Sequence, residues 1–391
     1  MKSVLITGGS HAELPMIKSA KQLGYYVITT GANDEGIGHR EADKYIKGDY
    51  SDKEFVYKLA KENKVDAIVS GCNDFAYLST AYACEKLGLP GHDSYEKACI
   101  IHHKDNFRKL TASLGIRTPK MMNCMNIEDL LKACDTIGYP VVIKPVDLTG
   151  GKGVLVCQNN EEAVMAYHNA MDVTRESEII VEEYINGTNH GASVLLKNGK
   201  VVFGFVDNEQ YYHNKYLVSG ACFPSDVAQC TMVSLFQSIE KIASALQLVD
   251  GLFHTQFIVE ENGEPVMIDP CRRAPGDLYI LLVKYASGVD YSMEIVKAEC
   301  GKEMPDCYAV SYHNIARQCI MADSNGAYDG IRYDSSIKER IFDQIIWARD
   351  GEEICDYQTY KAGIVFFECD TYSQLYKKVE DFHDLVKIDL K

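Results

Sequence analysis

The chain has 391 residues, 46% apolar and 25% charged, with 40 Lys and Arg against 56 Asp and Glu for a net charge of −16. That length holds about two or three domains with ample core, and the acidic balance speaks against a general binder of phosphate backbones. The 14 cysteines are irregularly spaced, with no C-x-x-C pair, a pattern expected of reduced thiols in an intracellular protein rather than of a disulfide framework. No apolar run approaches the ~20 residues of a membrane helix.

Residues 1–90 alternate strand and helix signals. An apolar run over 4–7 ends in Gly8-Gly9, and a helix from about 13, with Pro15 in its first turn, stops at Gly24. A strand over 26–30, a helix over 53–62, a strand over 67–70 and a helix over 75–87 closed by Gly88 follow. Such alternation implies βαβ units and a parallel sheet. The glycines after the first strand, with Asp34 downstream, invite a nicotinamide-cofactor reading. GGSHAE lacks the third glycine of G-x-G-x-x-G, however, and a tight βα turn is the better account. Ligands of such sheets bind beyond the carboxyl ends of the strands, within reach of His11, Asn73 and Asp74.

From 94 to 138 the signal is helical, with stretches over 104–114 and 127–137 and an extended link at Thr118-Pro119. A strand over 139–144 leads through Pro145 and VDLTGGKG to a second strand over 154–157. Glycines let a backbone approach an anion closely, and Lys152 adds charge; the loop is not a P-loop, which needs G-x-x-x-x-G-K-[ST] before a helix. A helix near 161–171, a strand over 178–182, the link EYING at 183–187 and a hairpin turning at Asn198-Gly199 come next. Residues 207–226 show no clear period, as functional or mobile loops do. A helix over 227–246 follows.

The stretch 252–273, LFHTQFIVEENGEPVMIDPCRR, reads as a hairpin with a two-residue type I′ turn at Asn262-Gly263. Counting outward, Glu261 faces Glu264, Val259 faces Val266, Gln256 faces Asp269 and His254 faces Cys271. His254, Gln256, Asp269 and Cys271 then share one face, and Phe257, Val259, Val266 and Ile268 the core face. A carboxylate opposite an amide oxygen suits a hard cation such as Mg²⁺ carrying a nucleotide. Zinc on His254, Asp269 and Cys271 is a competing reading. Beyond helical segments to about 299, strands over 310–312, 315–320, 344–348, 363–367 and 385–388 suggest a small α+β module.

Four stretches, HHKDNFRKLTASLGIRTP, YPVVIKPVDLTGGKGV, VEEYINGTNHGASV and GLFHTQFIVEENGEPVMIDPCRR, occur in an order and spacing that resembles the ATP-grasp superfamily. That group includes biotin carboxylase, carbamoyl phosphate synthetase, and amino-acid and purine-pathway ligases. The resemblance implies an α/β and α+β multidomain fold. A parallel, Rossmann-like substrate domain would span 1–100, the small and large ATP-grasp subdomains 101–186 and 187–305, and the α+β module 306–391.

The resemblance also implies site residues. Lys104 and Lys144 would hold ATP phosphates beneath a flap of Gly150, Gly151, Lys152 and Gly153. Glu182, Glu183, Tyr184 and Ile185 would form the adenine link, and His190 a ribose-side position, although many ligases place an acid one residue earlier, at Asn189 here. Gln256 and Asp269 would hold Mg²⁺, with Mn²⁺ as substitute. Cys271 stands where Asn usually completes that set, and thiol is a poor Mg²⁺ ligand. Arg273 would steady a substrate carboxylate or an oxyanion.

The activity implied is ATP- and Mg²⁺-dependent ligation of a small carboxylate, an amino acid foremost, to an amine through an acyl phosphate. The alternatives are a bicarbonate-activating carboxylase or carbamoyl-phosphate-type enzyme, and a catalytically weak ATP-binding sensor or assembly subunit, which the residues at 256 and 271 motivate. Partners would be small molecules, not nucleic acid or membrane, in a cytoplasmic protein that analogy makes a homodimer.

Overall fold

The computed structural model describes residues 1–146, 153–174 and 177–391. The first sheet has four parallel strands in the order Lys44–Lys47, Tyr26–Gly31, Ser3–Ile6, Ala67–Val69. Val4, Leu5, Ile6, Val27 and Ile68 are buried, as strands covered by helices on both faces require. Sequence periodicity gave no sign of Lys44–Lys47, a short edge strand with an exposed lysine at each end. The glycine turn after the first strand is filled from within. The Glu13 carboxylate accepts from the Ser10 N–H (2.9 Å), the Ser10 hydroxyl (2.7 Å) and the Cys72 N–H (2.9 Å), and a Cβ at Gly8 would lie 2.6 Å from Glu13 Cδ. An anion thus already sits where a dinucleotide phosphate would.

The second sheet is antiparallel, in the order Met121–Cys124, Ile179–Glu183, Val141–Pro145, Leu155–Cys157. Helices Ile127–Ile137 and Asn160–Val173 pack with it in one apolar cluster, their first turns capped by Asn126 and Asn159. The flap residues Gly150, Gly151 and Lys152 lie outside the described residues. Gly153, which follows them, has φ +70°, and a Cβ there would meet Pro145 Cγ at 2.9 Å.

The central sheet has eight antiparallel strands: Pro265–Cys271, Gly251–Val259, Thr188–Lys197, Lys200–Tyr211, Val218–Phe223, Ile315–Ile320, Gly363–Glu368 and Ile341–Ile346. Three of the expected C-terminal strands therefore extend the hairpin's own sheet. The remaining C-terminal strands, Glu353–Ile354, Gly326–Tyr333 and Val386–Leu390, form a fourth sheet. Residues 310–312, expected as a strand, are irregular, with Val310 and Tyr312 exposed. Conversely, most of 207–226 is strand. A register shift between Gln210 and Tyr211 breaks the alternation that a sequence reading depends on.

The hairpin closes otherwise than expected. The Gly263 N–H donates to the Glu260 carbonyl (2.8 Å) and Gly263 has φ +82°, the geometry of a three-residue loop with a glycine bulge rather than a type I′ turn. Near the turn the register moves by one, so Val259 pairs with Pro265 and Phe257 with Met267. A second bulge, at Ile268, restores it: Gln256 pairs with Asp269 and His254 with Cys271. The correction falls on the core face, where Met267 and not Ile268 packs in one cluster with Phe257, while Ile268 lines the cleft.

Candidate active site

A cavity of about 560 Å³ opens between the small sheet, the central sheet and the carboxyl ends of the N-terminal strands. Lys104 begins the helix Lys104–Ser113, and its Nζ lies 3.3 Å from Asp269 Oδ1. One turn later Arg108 donates to Glu182 (3.3 Å) and to the Ile268 carbonyl (2.8 Å). Lys144, on the facing strand, donates to the other Glu182 oxygen. Burial pushes the Glu182 carboxyl toward its neutral form, but Lys144 and Arg108 overcome it and hold the pKa below the usual value. Arg108 was not singled out from sequence; its i+4 spacing from Lys104 was the available signal. Its Nε and Nη1 are buried without partners in the described structure.

Glu183 is gripped by both terminal nitrogens of Arg117 (2.8 and 2.9 Å) and by the Lys120 N–H (3.1 Å), and Arg117 reaches Glu260 of the hairpin turn (3.3 Å). Tyr184 and Ile185 line the cavity beside it. His190 does not. It is 2% exposed, its Nε2 2.7 Å from Thr188 Oγ1 and its Nδ1 3.1 Å from the Asp207 carbonyl, and it packs against Phe257. Successive strand residues face opposite ways, so Asn189 takes the cleft side and His190 the core side, which removes His190 from the ribose position.

On the hairpin of Gly251–Val259 and Pro265–Cys271, Gln256 and Asp269 are cross-strand partners and both line the cavity. Partial burial would raise the Asp269 pKa; Lys104, Lys144 and Arg108 outweigh it and hold the carboxyl near about 2. Gln256 Nε2 donates to both oxygens of Glu209 (2.9 and 3.0 Å), a contact that crosses an intervening strand. The crossing is possible because Gly191 stands between, pairing with Gln256 on one side and Asp207 on the other. A Cβ at Gly191 would lie 2.6 Å from Asp207 Oδ2. Glu209 also accepts from the Tyr211 hydroxyl (2.6 Å), and burial raises its pKa. It sits in the stretch read as aperiodic; the alternation Phe203, Phe205, Asp207, Glu209 was the signal that could have found it.

The residues present fit a hard divalent cation. Asp269 is ionised, Gln256 turns its amide nitrogen to Glu209 and so keeps its oxygen for another partner, and Glu209 adds a carboxylate nearby. They do not fit the zinc set. The His254 Nδ1 is 2.8 Å from Ser193 Oγ, and burial, then Arg273, pushes its pKa down to about 3. The Cys271 thiol donates to the Arg273 carbonyl (3.5 Å) and is pushed up to about 11 by burial. Among the described residues no group of three His, Cys, Asp or Glu is placed to hold a metal.

Arg273 lines the same cavity, its Nε 3.0 Å from Asp74 Oδ1. Outside the cavity lining, His11 stacks on Trp347 (3.8 Å) with its Nε2 3.9 Å from Asp277, which does line it. Asp277 accepts from Lys361 (2.5 Å), and its carbonyl accepts from Arg317 (3.0 Å), whose Nε is buried without a partner among the described residues. Asp277 and Leu278 hold left-handed backbone (φ +52° and +56°), which non-glycine residues seldom adopt outside functional segments. Asn73, also expected near a substrate, instead caps the helix Asp74–Leu87 and donates to the Tyr50 hydroxyl.

No helix among the described residues is long and apolar enough to cross a membrane. Residues 137–278 match the ATP-grasp domain family. A formate-dependent phosphoribosylglycinamide formyltransferase of Prochlorococcus marinus is 24% identical over 281 residues, 71% of this chain and 70% of that one. Among solved structures, an L-amino acid ligase from Bacillus licheniformis superposes with a TM-score of 0.84 at 18% identity, over 100% of this chain and 99% of that one. A phosphoribosylglycinamide synthetase from Anaerococcus prevotii superposes with a TM-score of 0.80 at 22% identity, over 100% of both chains. With a cleft that gathers paired lysines, an acid-bearing hairpin and an arginine, the chain carries an ATP-grasp domain over residues 137–278 and shares the fold of these ligases along its whole length.

Proposed function

We propose that the protein couples ATP cleavage to joining a small carboxylate, foremost an amino acid, to an amine. The observation that carries this reading is the single cavity holding Lys104, Lys144, Gln256, Asp269 and Arg273. Lys144 and Lys104 would meet the phosphates, and residues 182–185 the adenine. Asp269, Gln256 and Glu209 are the oxygen donors for Mg²⁺, which when bound neutralises phosphate charge as the terminal phosphoryl group leaves for the carboxylate. Lys104 leans on Asp269 and Lys144 on Glu182, so both side chains are held in place at the cleft before any ligand arrives.

The substrate carboxylate would lie against Arg273, whose planar fork suits two oxygens. The mixed anhydride formed from it is then open to an amine. The unit at 1–100 and the cavity wall with Asp277 and Arg317 would receive acid and amine, and small molecules are the partners in this reading. The test is ADP release with ATP, Mg²⁺ and an equimolar mixture of L-amino acids, checked for peptide or amide product by mass spectrometry. Acid-dependent ADP release is expected. Release with bicarbonate alone would favour the carboxylating alternative, and no release with either would reject the ligase reading.

A further inference from the structure

We infer that Asp74 and His102 are positioning residues that orient Arg273 toward the substrate carboxylate; this rests on the ligase reading above. The Arg273 Nε–H donates to Asp74 Oδ1 at 3.0 Å, and His102 Nδ1 lies 3.0 Å from the same oxygen. The other imidazole nitrogen, Nε2, accepts the backbone N–H of Arg272 at 3.2 Å. A nitrogen that accepts carries no proton, so His102 is neutral with its proton on Nδ1, donated to Asp74. The ring is fully buried and stacks on Tyr77 at 4.7 Å, which fixes its plane.

Asp74 is held as firmly. It is the first residue of the helix Asp74–Leu87, whose N-cap is Asn73, and the positive end of a helix favours an anion there. Burial opposes its charge, but Arg273, His102 and Lys104 keep its pKa far below the usual carboxylate range. One oxygen thus accepts from the arginine side chain on one flank and, through His102, is braced by the arginine's own backbone neighbour on the other. On Arg273 the Nη1 donates to the Ala274 carbonyl (3.3 Å), so two of the three guanidinium nitrogens are committed. Nη2 has no protein hydrogen-bond partner among the described residues, on a side chain that lines the cavity. Asp74 and Arg273 are 199 residues apart, so the clamp ties the N-terminal sheet to the end of the metal hairpin.

The test is a variant cycle read by three measurements. Asp74→Ala removes the acceptor, while Asp74→Asn keeps an oxygen there. Expected for Asp74→Ala is a loss of about 10²-fold in kcat/KM for the L-amino acid mixture, the scale of a misplaced reactive group, with ADP affinity by calorimetry unchanged within about twofold. Asp74→Asn recovers most of that loss. In an Arg273→Lys background Asp74→Ala adds nothing, because the partner it orients is gone. A crystal structure of Asp74→Ala shows the Arg273 guanidinium turned from its place. An unmoved guanidinium, or an equal loss in both backgrounds, overturns the inference. If the wild-type protein releases no ADP, the ligase reading falls by itself, and the Asp74→Ala structure alone decides the positioning role.

Discussion

Gln256 brings no charge to the candidate metal site, yet it is tied to Glu209, which does. An amide beside a carboxylate is a matched donor and acceptor; a second carboxylate there would force one of the two to take a proton. Gln256→Glu is therefore expected to lower metal-free stability by about 1–3 kcal/mol in urea unfolding, with Mn²⁺ recovering part of the loss. Equal stability with and without Mn²⁺ in both proteins would show that Glu209 and residue 256 do not share a cation. Asp269 is the ionised acid of the set, and Asp269→Asn is expected to weaken Mn²⁺ binding in the presence of ADP by about tenfold or more, measured by calorimetry. Unchanged affinity would place the metal elsewhere.

The strand Thr188–Lys197 works through an absence. Gly191 does not hold a left-handed backbone, so its role is room: a Cβ there would crowd Asp207 beside the path by which Gln256 reaches Glu209 across the strand. Gly191→Ala is expected to cost about 1–3 kcal/mol, as overpacking does, and to weaken Mn²⁺ binding together with stability. A variant as stable as wild type would show that Asp207 yields freely. The hairpin shows how much of such an element its sequence reveals. The pairing of Gln256 with Asp269 was legible, but by two shifts that cancel, a three-residue loop and a bulge at Ile268. Alternation sets which residues can face each other; bulges, which cost one residue and leave no compositional mark, decide which do. His190 was misplaced by one step of a regular strand: the resemblance implied its position, and alternation gives the cleft side to Asn189.

At the scale of the molecule, distant stretches of the chain meet through buried and half-buried polar contacts with no local signature. Asp74–Arg273 is one, and Glu299 is another: its carboxylate accepts the Ser70 N–H (2.7 Å) and hydroxyl (3.0 Å), joining the helix Tyr291–Glu299 to the end of the strand Ala67–Val69. Helices, strands and the ATP-grasp landmarks could be read in order because they depend on neighbours in sequence; these contacts depend on the packed fold. Burial raises the Glu299 pKa to about 8. Its contribution to stability is complete below its unfolded pKa of about 4.5 and is lost as pH rises through about 8. Thermal unfolding should therefore show stability falling between pH 5 and 8.5 more steeply in wild type than in Glu299→Gln, whose uncharged amide oxygen keeps the Ser70 N–H as donor while its amide nitrogen donates to the Ser70 hydroxyl. Identical slopes would mean that Glu299 ionises without cost.

All of this assumes that nucleotide occupies the cleft between the two lysines and the hairpin, and calorimetric titration with a non-hydrolysable ATP analogue in Mg²⁺ tests it most directly. Expected is one site per chain, weakened about tenfold or more in Lys144→Ala. No binding, or equal affinity in the variant, would contradict it.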